Sequence, residues 1–482
     1  MIRRRRIDLP IMRTARRTAA ALLALGAWGC ASAGPEPLDP AKSEAEFRAR
    51  TLDDPGLRQF AEGNPGAAPA PFPPASWNLS ALTLVAFYFH ADLDVARAKL
   101  VRGRAGVATA GMWPNPVAAV DLERVTHVEP GFTPWIYGFN LSVPLDALWK
   151  RGYRIEEAER MSEAARLALA ETGWRVRSRV RAALAEHLFA LRGLELKRLE
   201  EAARATLVTA LERKLALGDI FRLDVDAAQG DLFAARQSIH TAEGRVAETR
   251  AALAAALGLP LAALQGKSFA WPELERPPAL ESLSLESVQA AGLLNRLDLR
   301  GLLAEYEAAE AALQRELAGR YPDVSLGPGI LYDQGQQKFT LGLSMTLPIL
   351  NQNGGPIAEA DARRKEVAAR FHAVQASVIG EVEAAIERYR AAIAEFGEAD
   401  KTLSTVERRE KAIRRGIELQ ELDKTALAGI ALELVQVREA RLGALKRTED
   451  ALGALEDAVQ RPLGPRGAVP EPGSSRPRGE DQ

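Results

Sequence analysis

The residues of this 482-residue chain that could do chemistry stand too far apart to do it together. The five histidines, His90, His127, His187, His240 and His372, include no i/i+4 pair, and no neighbouring cysteine or methionine cluster completes a metal site. Asp224 and Asp226 sit two residues apart on a helical stretch, so their carboxylates diverge and cannot share one proton. The sequence contains neither a Gly-Lys-Ser/Thr phosphate loop nor a Gly-x-Ser-x-Gly nucleophile elbow. A single cysteine excludes an internal disulfide and any cysteine-built zinc site. No residue is therefore expected to be catalytic, to bind a cofactor or to ligate a metal, and the chain is not expected to be an enzyme.

Composition narrows the remaining classes. Lys and Arg number 63 against 64 Asp and Glu, a net charge of -1. That balance argues against a nucleic-acid partner, which would need a basic stripe to neutralise phosphates. Ala, Leu, Glu and Arg dominate and aromatics make up only 6%, a composition suited to long helices.

The one cysteine, Cys30, lies in an informative place. Arg13, Arg16 and Arg17 precede an apolar run from Ala19 to Trp28, followed by Gly29-Cys30. A basic segment and a short apolar stretch make a secretory signal, too short to span a bilayer as a mature helix. Met12 would serve as a start as well as Met1. Gly29-Cys30 has the form of the end of a bacterial lipobox, which makes Cys30 a candidate acylation site. Ala27 and Trp28 depart from that pattern, and ordinary cleavage after Ala31-Ser32-Ala33 is the alternative. The expected division is a signal segment 1–33, a Pro/Ala-rich extended tether 34–76, a first repeat 77–265, a connector 266–294, a second repeat 295–461 and a disordered tail 462–482.

The two repeats decide the fold class. Pro114-Asn115-Pro116 opens a short alternating segment, as Tyr321-Pro322-Asp323 does later. Leu141-Ser142-Val143-Pro144-Leu145 is matched by Leu343-Ser344-Met345-Thr346-Leu347-Pro348-Ile349, and Ile155-Glu156-Glu157-Ala158 by Ile357-Ala358-Glu359-Ala360, at an offset of roughly 205 residues. No proline falls between Pro144 and Pro260 or between Pro356 and Pro462, so each half carries a long helical run, since proline costs about 3 kcal/mol inside a helix. Breaks are expected near Leu217-Gly218-Asp219 and near Leu427-Ala428-Gly429. The Ala-rich seams (Ala164, Ala165, Ala168; Ala182, Ala183; Ala251, Ala252, Ala254) would let helices pack closely.

Four strands are expected, at about 117–125, 135–143, 323–332 and 338–347. In the second, Trp135, Tyr137, Phe139, Leu141 and Val143 alternate with Ile136, Gly138, Asn140 and Ser142. In the fourth, Phe339, Leu341, Leu343, Met345 and Leu347 alternate with Lys338, Thr340, Gly342, Ser344 and Thr346. Large apolar residues against small polar ones over about ten residues is how a transmembrane barrel strand reads. Trp135, Tyr137, Phe139, Phe339, Leu341 and Leu343 are thus expected to face lipid. Two hairpins supply four strands and the smallest membrane barrels need about eight, so copies must associate, because open edges are not tolerated in lipid.

These pieces together resemble the TolC-type outer-membrane efflux protein family, from about Leu79 to Gln460. The matching text is Trp113-Pro114-Asn115-Pro116, Gly218-Asp219-Ile220 with Leu223-Asp224-Val225, Leu347-Pro348-Ile349-Leu350-Asn351-Gln352-Asn353-Gly354, and the run from Leu432 to Arg441. The Leu347 stretch further resembles the heavy-metal (CzcC/CusC-like) branch. The resemblance implies a mainly α chain with a small membrane β part, forming as a homotrimer a twelve-stranded barrel in outer-membrane lipid on a periplasmic α-helical barrel. It implies a periplasmic adaptor (membrane fusion protein) and an inner-membrane RND transporter as partners, and export of metal cations or, alternatively, drugs. By position it assigns Glu433 and Gln436 to the periplasmic aperture, with Glu439 facing a neighbouring helix. The competing reading is a periplasmic coiled-coil lipoprotein or a pump adaptor, although no Val/Gly-rich lipoyl-like module interrupts either helical run.

Overall fold

The computed structural model describes residues 34, 36–64, 71–280, 283, 290, 292, 294–419 and 424–463. Cys30, the signal segment and all of the tail beyond Leu463 lie outside them. The chain divides into two units, residues 1–49 and 50–482. In the first, helix α1 (Pro40–Arg48) is capped by Asp39, whose carboxylate accepts from the Ala41 N–H at 2.9 Å.

The second unit opens with α2 (Pro55–Glu62), capped by Asp54. The stretch expected to be an extended tether therefore contains helices. In both cases an Asp-Pro step supplies an N-cap acceptor and a residue whose fixed φ suits the first helical position. Leu52, Leu57 and Phe60 bury themselves in the core. Helix α3 (Leu79–Phe89) is buried on all sides, and α4 (Ala91–Ala110) leads to strand β1 (Val117–Arg124). After β2 (Trp135–Pro144) come α5 (Ala147–Leu217) and α6 (Arg222–Leu257). Then α7 (Leu297–Ala318), β3 (Val324–Asp333), β4 (Gln336–Met345), α8 (Gly354–Glu418) and α9 (Lys424–Val459) repeat the plan.

The proline-free run forms as expected. Helix α5 holds 71 residues, about 105 Å at 1.5 Å per residue. Its end is set by Gly218 at φ 81°, from which the Gly218 and Asp219 N–H groups reach back to Leu215 and Lys214. Gly258 ends α6 at φ 71° for two reasons: the left-handed backbone, and a Cβ that would stand 2.9 Å from the Phe89 carbonyl oxygen.

The second break lies earlier than Leu427-Ala428-Gly429. Helix α8 ends at Glu418, and α9 runs unbroken through Gly429 from Lys424. A glycine inside a helix costs only about 1 kcal/mol, and here Ile430 and Leu434 pack with Val406 of α8 to offset it. The alanine seams are also only partly used. Ala164, Ala165, Ala183 and Ala254 are packed, whereas Ala168, Ala182, Ala251 and Ala252 are exposed in the single chain.

The main core lies where α3 meets α5 and α6: Leu82, Leu84, Phe87 and Phe89 pack with Val180, Leu184, Leu253 and Leu257. Residues 266–280, part of the segment read only as a connector, close this core. They pair Phe269 with Trp77 in a parallel bridge and bury Trp271 and Leu274. A second core joins Val382, Ile386 and Tyr389 of α8 to Leu452, Leu455 and Val459 of α9.

Candidate functional site

The four strands form one antiparallel sheet in the order β1-β2-β3-β4. Directly paired residues share a face, so the register assigns every side chain to one side. Phe139 pairs with Val120 on one flank and Ile330 on the other, and Ile330 pairs with Phe339. Tyr137 pairs with Leu122 and Tyr332, its ring stacked on that of Tyr332 at 4.6 Å. Leu326 pairs with Val143 and Leu343, and Pro328 with Leu341. One face is therefore an apolar sheet of aromatic and branched side chains. The opposite face carries Asp121, Glu123, Gly138, Asn140, Ser325, Gly327, Gly329, Lys338, Thr340 and Ser344, with Lys338 ion-paired to Asp333 at 2.6 Å.

All six residues read as lipid-facing, Trp135, Tyr137, Phe139, Phe339, Leu341 and Leu343, lie on the apolar face and are exposed, Phe339 to 85%. The sequence reading missed β1 and β3 as equal contributors. Gly327, Gly329 and Pro328 blur the alternation of β3, and only pairing aligns Ile330 and Tyr332 with Phe139 and Tyr137. Within the chain β1 and β4 each pair on one side only.

At the far end of the helices the aperture candidates are on one helix, α9, but in different company. Glu433 is ion-paired to Arg409 of α8 at 2.5 Å, both side chains partly exposed. Gln436 is exposed. Glu439 turns to another helix, paired with Lys197 of α5 at 2.7 Å. The tip of the first helical hairpin exposes Leu217, Phe221 and Leu223 around the Gly218 turn. Asp224 caps α6 through the Phe221 N–H at 3.0 Å, and Asp226 pairs with Arg222. Both carboxylates are structural.

Between sheet and tips lies a buried ionic belt that the sequence reading did not find. Arg177 of α5 faces Glu456 of α9 at 3.5 Å, with 4% and 0% of their side chains exposed. Arg177 also lies over the Trp174 ring, 4.8 Å from its centroid, while Trp174 Nε1 donates to Asp457 at 3.0 Å. Burial pushes the Arg177 guanidinium below its ordinary value, and the Glu456 carboxylate opposes that shift. Glu456 also accepts from the Leu463 N–H at 2.9 Å. Next along α5, Arg181 donates to the Glu449 carbonyl oxygen at 3.2 Å. The available signal was a carboxylate inside the apolar stripe Leu452, Leu455, Val459.

The five histidines stay apart. His90 caps α4, His187 is buried beside Thr249 at 3.1 Å, and His127, His240 and His372 are exposed. Among the described residues, no group of three or more His, Cys, Asp or Glu side chains could hold a metal ion. No described single helix is long and apolar enough to cross a membrane, which says nothing of the sheet.

Residues 90–259 match the family model described as "Outer membrane efflux protein". The cobalt-zinc-cadmium resistance protein CzcC of Cupriavidus metallidurans is 26% identical over 274 residues, 56% of this chain and 62% of that protein. The match thus spans less than two thirds of that relative's length. The crystal structure of the outer membrane protein VceC from Vibrio cholerae superposes with a TM-score of 0.62 at 17% identity, covering 79% of this chain and 95% of VceC. Crystal structures of CusC give 0.63 at 16% identity, with 88% and 98% covered. The first repeat thus resembles the outer-membrane efflux proteins, and the chain shares the fold of these solved structures. That fold has long helices in two similar halves, each joined to a strand hairpin.

Proposed function

We propose that this chain is the outer-membrane channel subunit of a tripartite efflux system, a passive conduit whose energy comes from an inner-membrane RND transporter acting through a periplasmic adaptor. The observation that carries this reading is the sheet. It has one bare apolar face, one polar face and an unpaired edge at each end, and it sits on helices about 100 Å long. A polar face turned inward can line an aqueous lumen, while an apolar face turned outward suits lipid. Three copies would close twelve strands, removing every open edge. The bare Leu217, Phe221 and Leu223 at the first helical tip offer an apolar surface for the adaptor.

Metal cations are the proposed cargo, on the strength of the CzcC relative's name. Drugs are the alternative, to be separated by comparing metal and drug sensitivity after gene deletion. Cys30 is proposed to carry a lipid anchor, and Glu433 and Gln436 to line the aperture, with Glu433 presented as a pair with Arg409 rather than as a free carboxylate. The test of the channel is extraction of the full-length protein from outer membranes. A trimer that dissociates only on heating is expected, and a monodisperse folded monomer would overturn the reading.

A further inference from the structure

The apolar face of the sheet carries one charge. Arg124 pairs with Trp135, so its side chain shares the face of Tyr137 and Phe139, and its guanidinium lies 5.7 Å from the centre of the Trp135 ring. Both side chains are exposed. The strands hold one other cation, Lys338, which stands on the polar face and is ion-paired to Asp333 at 2.6 Å. Arg124 has no ion pair among the described residues.

Further copies of the chain bring no strand carboxylate to it. The strand carboxylates are Asp121, Glu123 and Asp333. Asp121 pairs with Gly138, while Glu123 and Asp333 both pair with Ile136. All three therefore lie on the polar face, and a neighbouring sheet edge joined to β1 would set only uncharged side chains beside Arg124.

The height of the cation on the face is as informative as its lack of a partner. Val143 pairs with Leu326; Val324, paired with Met345, lies two residues beyond it, and the Arg124–Trp135 row lies eight residues the other way. Those ten residues span about 34 Å along a strand. At a tilt near 40° that is about 25 Å of height, the apolar band of a membrane barrel. The Arg124–Trp135 row thus stands at one limit of the band, where hydrocarbon gives way to headgroups. It is the limit remote from the helices: α4, α5, α7 and α8 all join the strands at their other end.

Resting on the channel reading above, which puts the helices in the periplasm, we infer that Arg124 and Trp135 form a binding site for the phosphate of an outer-leaflet glycolipid. The planar guanidinium donates two parallel hydrogen bonds to phosphate oxygens, and the Trp135 ring holds it at the rim. Two residues further into the band, Tyr137 stacked on Tyr332 offers the acyl chains a flat wall. The outer leaflet of an outer membrane is built of phosphorylated glycolipid, which favours that source of phosphate over a phospholipid.

The test uses the full-length trimer in neutral detergent, with native mass spectrometry counting the bound lipid. The probes are bisphosphorylated lipid A, the same lipid A with both phosphates removed, and phosphatidylglycerol. The wild-type protein should retain bisphosphorylated lipid A about tenfold better than either of the others. Arg124→Gln should lose that preference, and Arg124→Lys should keep part of it, since an ammonium offers a point charge without the fork. Equal retention of phosphorylated and dephosphorylated lipid A by the wild-type protein would overturn the site, whether or not the variants assemble. Wild-type retention by Arg124→Gln would do the same, and equal retention of phosphatidylglycerol would overturn the choice of glycolipid. A trimer giving any of these results leaves the channel reading intact, whereas a wild-type monomer would remove both.

Discussion

The sheet and the ionic belt invert the usual order of a protein in opposite ways. The sheet leaves Phe339, Leu341 and Leu343 bare, while the belt hides Arg177 and Glu456. The belt's inversion is resolved inside the chain. Each buried charge faces the other, Trp174 lies against the guanidinium, and the carboxylate accepts a backbone N–H. The sheet's inversion has no internal remedy. None of its apolar face is covered by another part of the described chain, so the surroundings must resolve it. One site is complete as folded; the other, on the channel reading proposed above, is half of an arrangement finished by lipid and by further copies.

The sharpest way to break the belt is to remove one of its two charges. Glu456→Ala leaves Arg177 buried without its counterion and should cost about 3–5 kcal/mol, read as a lower unfolding temperature. A loss under about 1 kcal/mol would mean that water or another carboxylate takes over. Breaking the sheet should cost somewhat less per chain. Phe339→Lys puts a charge on the apolar face, worth about 2–4 kcal/mol near a bilayer midplane, and should reduce trimer recovered from outer membranes. Thr340→Lys, one residue along and on the polar face, should assemble normally. Equal behaviour of the two would mean the faces are wrongly assigned. The smallest effect on stability is expected at the tip, where the Arg409–Glu433 pair is exposed and worth at most about 1 kcal/mol. There the readout is conductance. Glu433→Gln should weaken cation preference in planar bilayers with trimer yield unchanged, and unchanged selectivity would return Glu433 to an ordinary surface ion pair.

Much of this was legible beforehand because it is written locally. The strand at Gln336–Met345 alternates cleanly, Gly218 marks a helix end, and the second hairpin echoes the first in the same order. Where local signals conflict, the sequence misled. Gly429 looks like a break, yet packing around Ile430 and Leu434 carries the helix through it. The Pro/Ala-rich stretch before residue 76 looks extended, yet Asp39-Pro40 and Asp54-Pro55 each start a helix. The belt's pairing was illegible for a different reason: Glu456 stands out within its apolar stripe, but Arg177 and Glu456 belong to different repeats and nothing near either names its partner. The Arg409 partner of Glu433 was missed likewise, since it depends on which turn of α8 stands beside which turn of α9.

The register also sets an order of events. Each outer pair of strands, β1 with β2 and β3 with β4, is a local hairpin, but the central pair joins Phe139 to Ile330 across the whole first helical run. Contacts between residues so far apart in sequence form late, because the loop between them must first be closed. A chain emerging from its N-terminus can complete β1 and β2 while β3 is still unmade, leaving the inner edge of β2 open. That edge closes only after α5, α6 and α7 have folded back and brought the second hairpin alongside. Until then the partly folded chain has its most aromatic strand unpaired on one side, the form most open to wrong partners and to proteolysis.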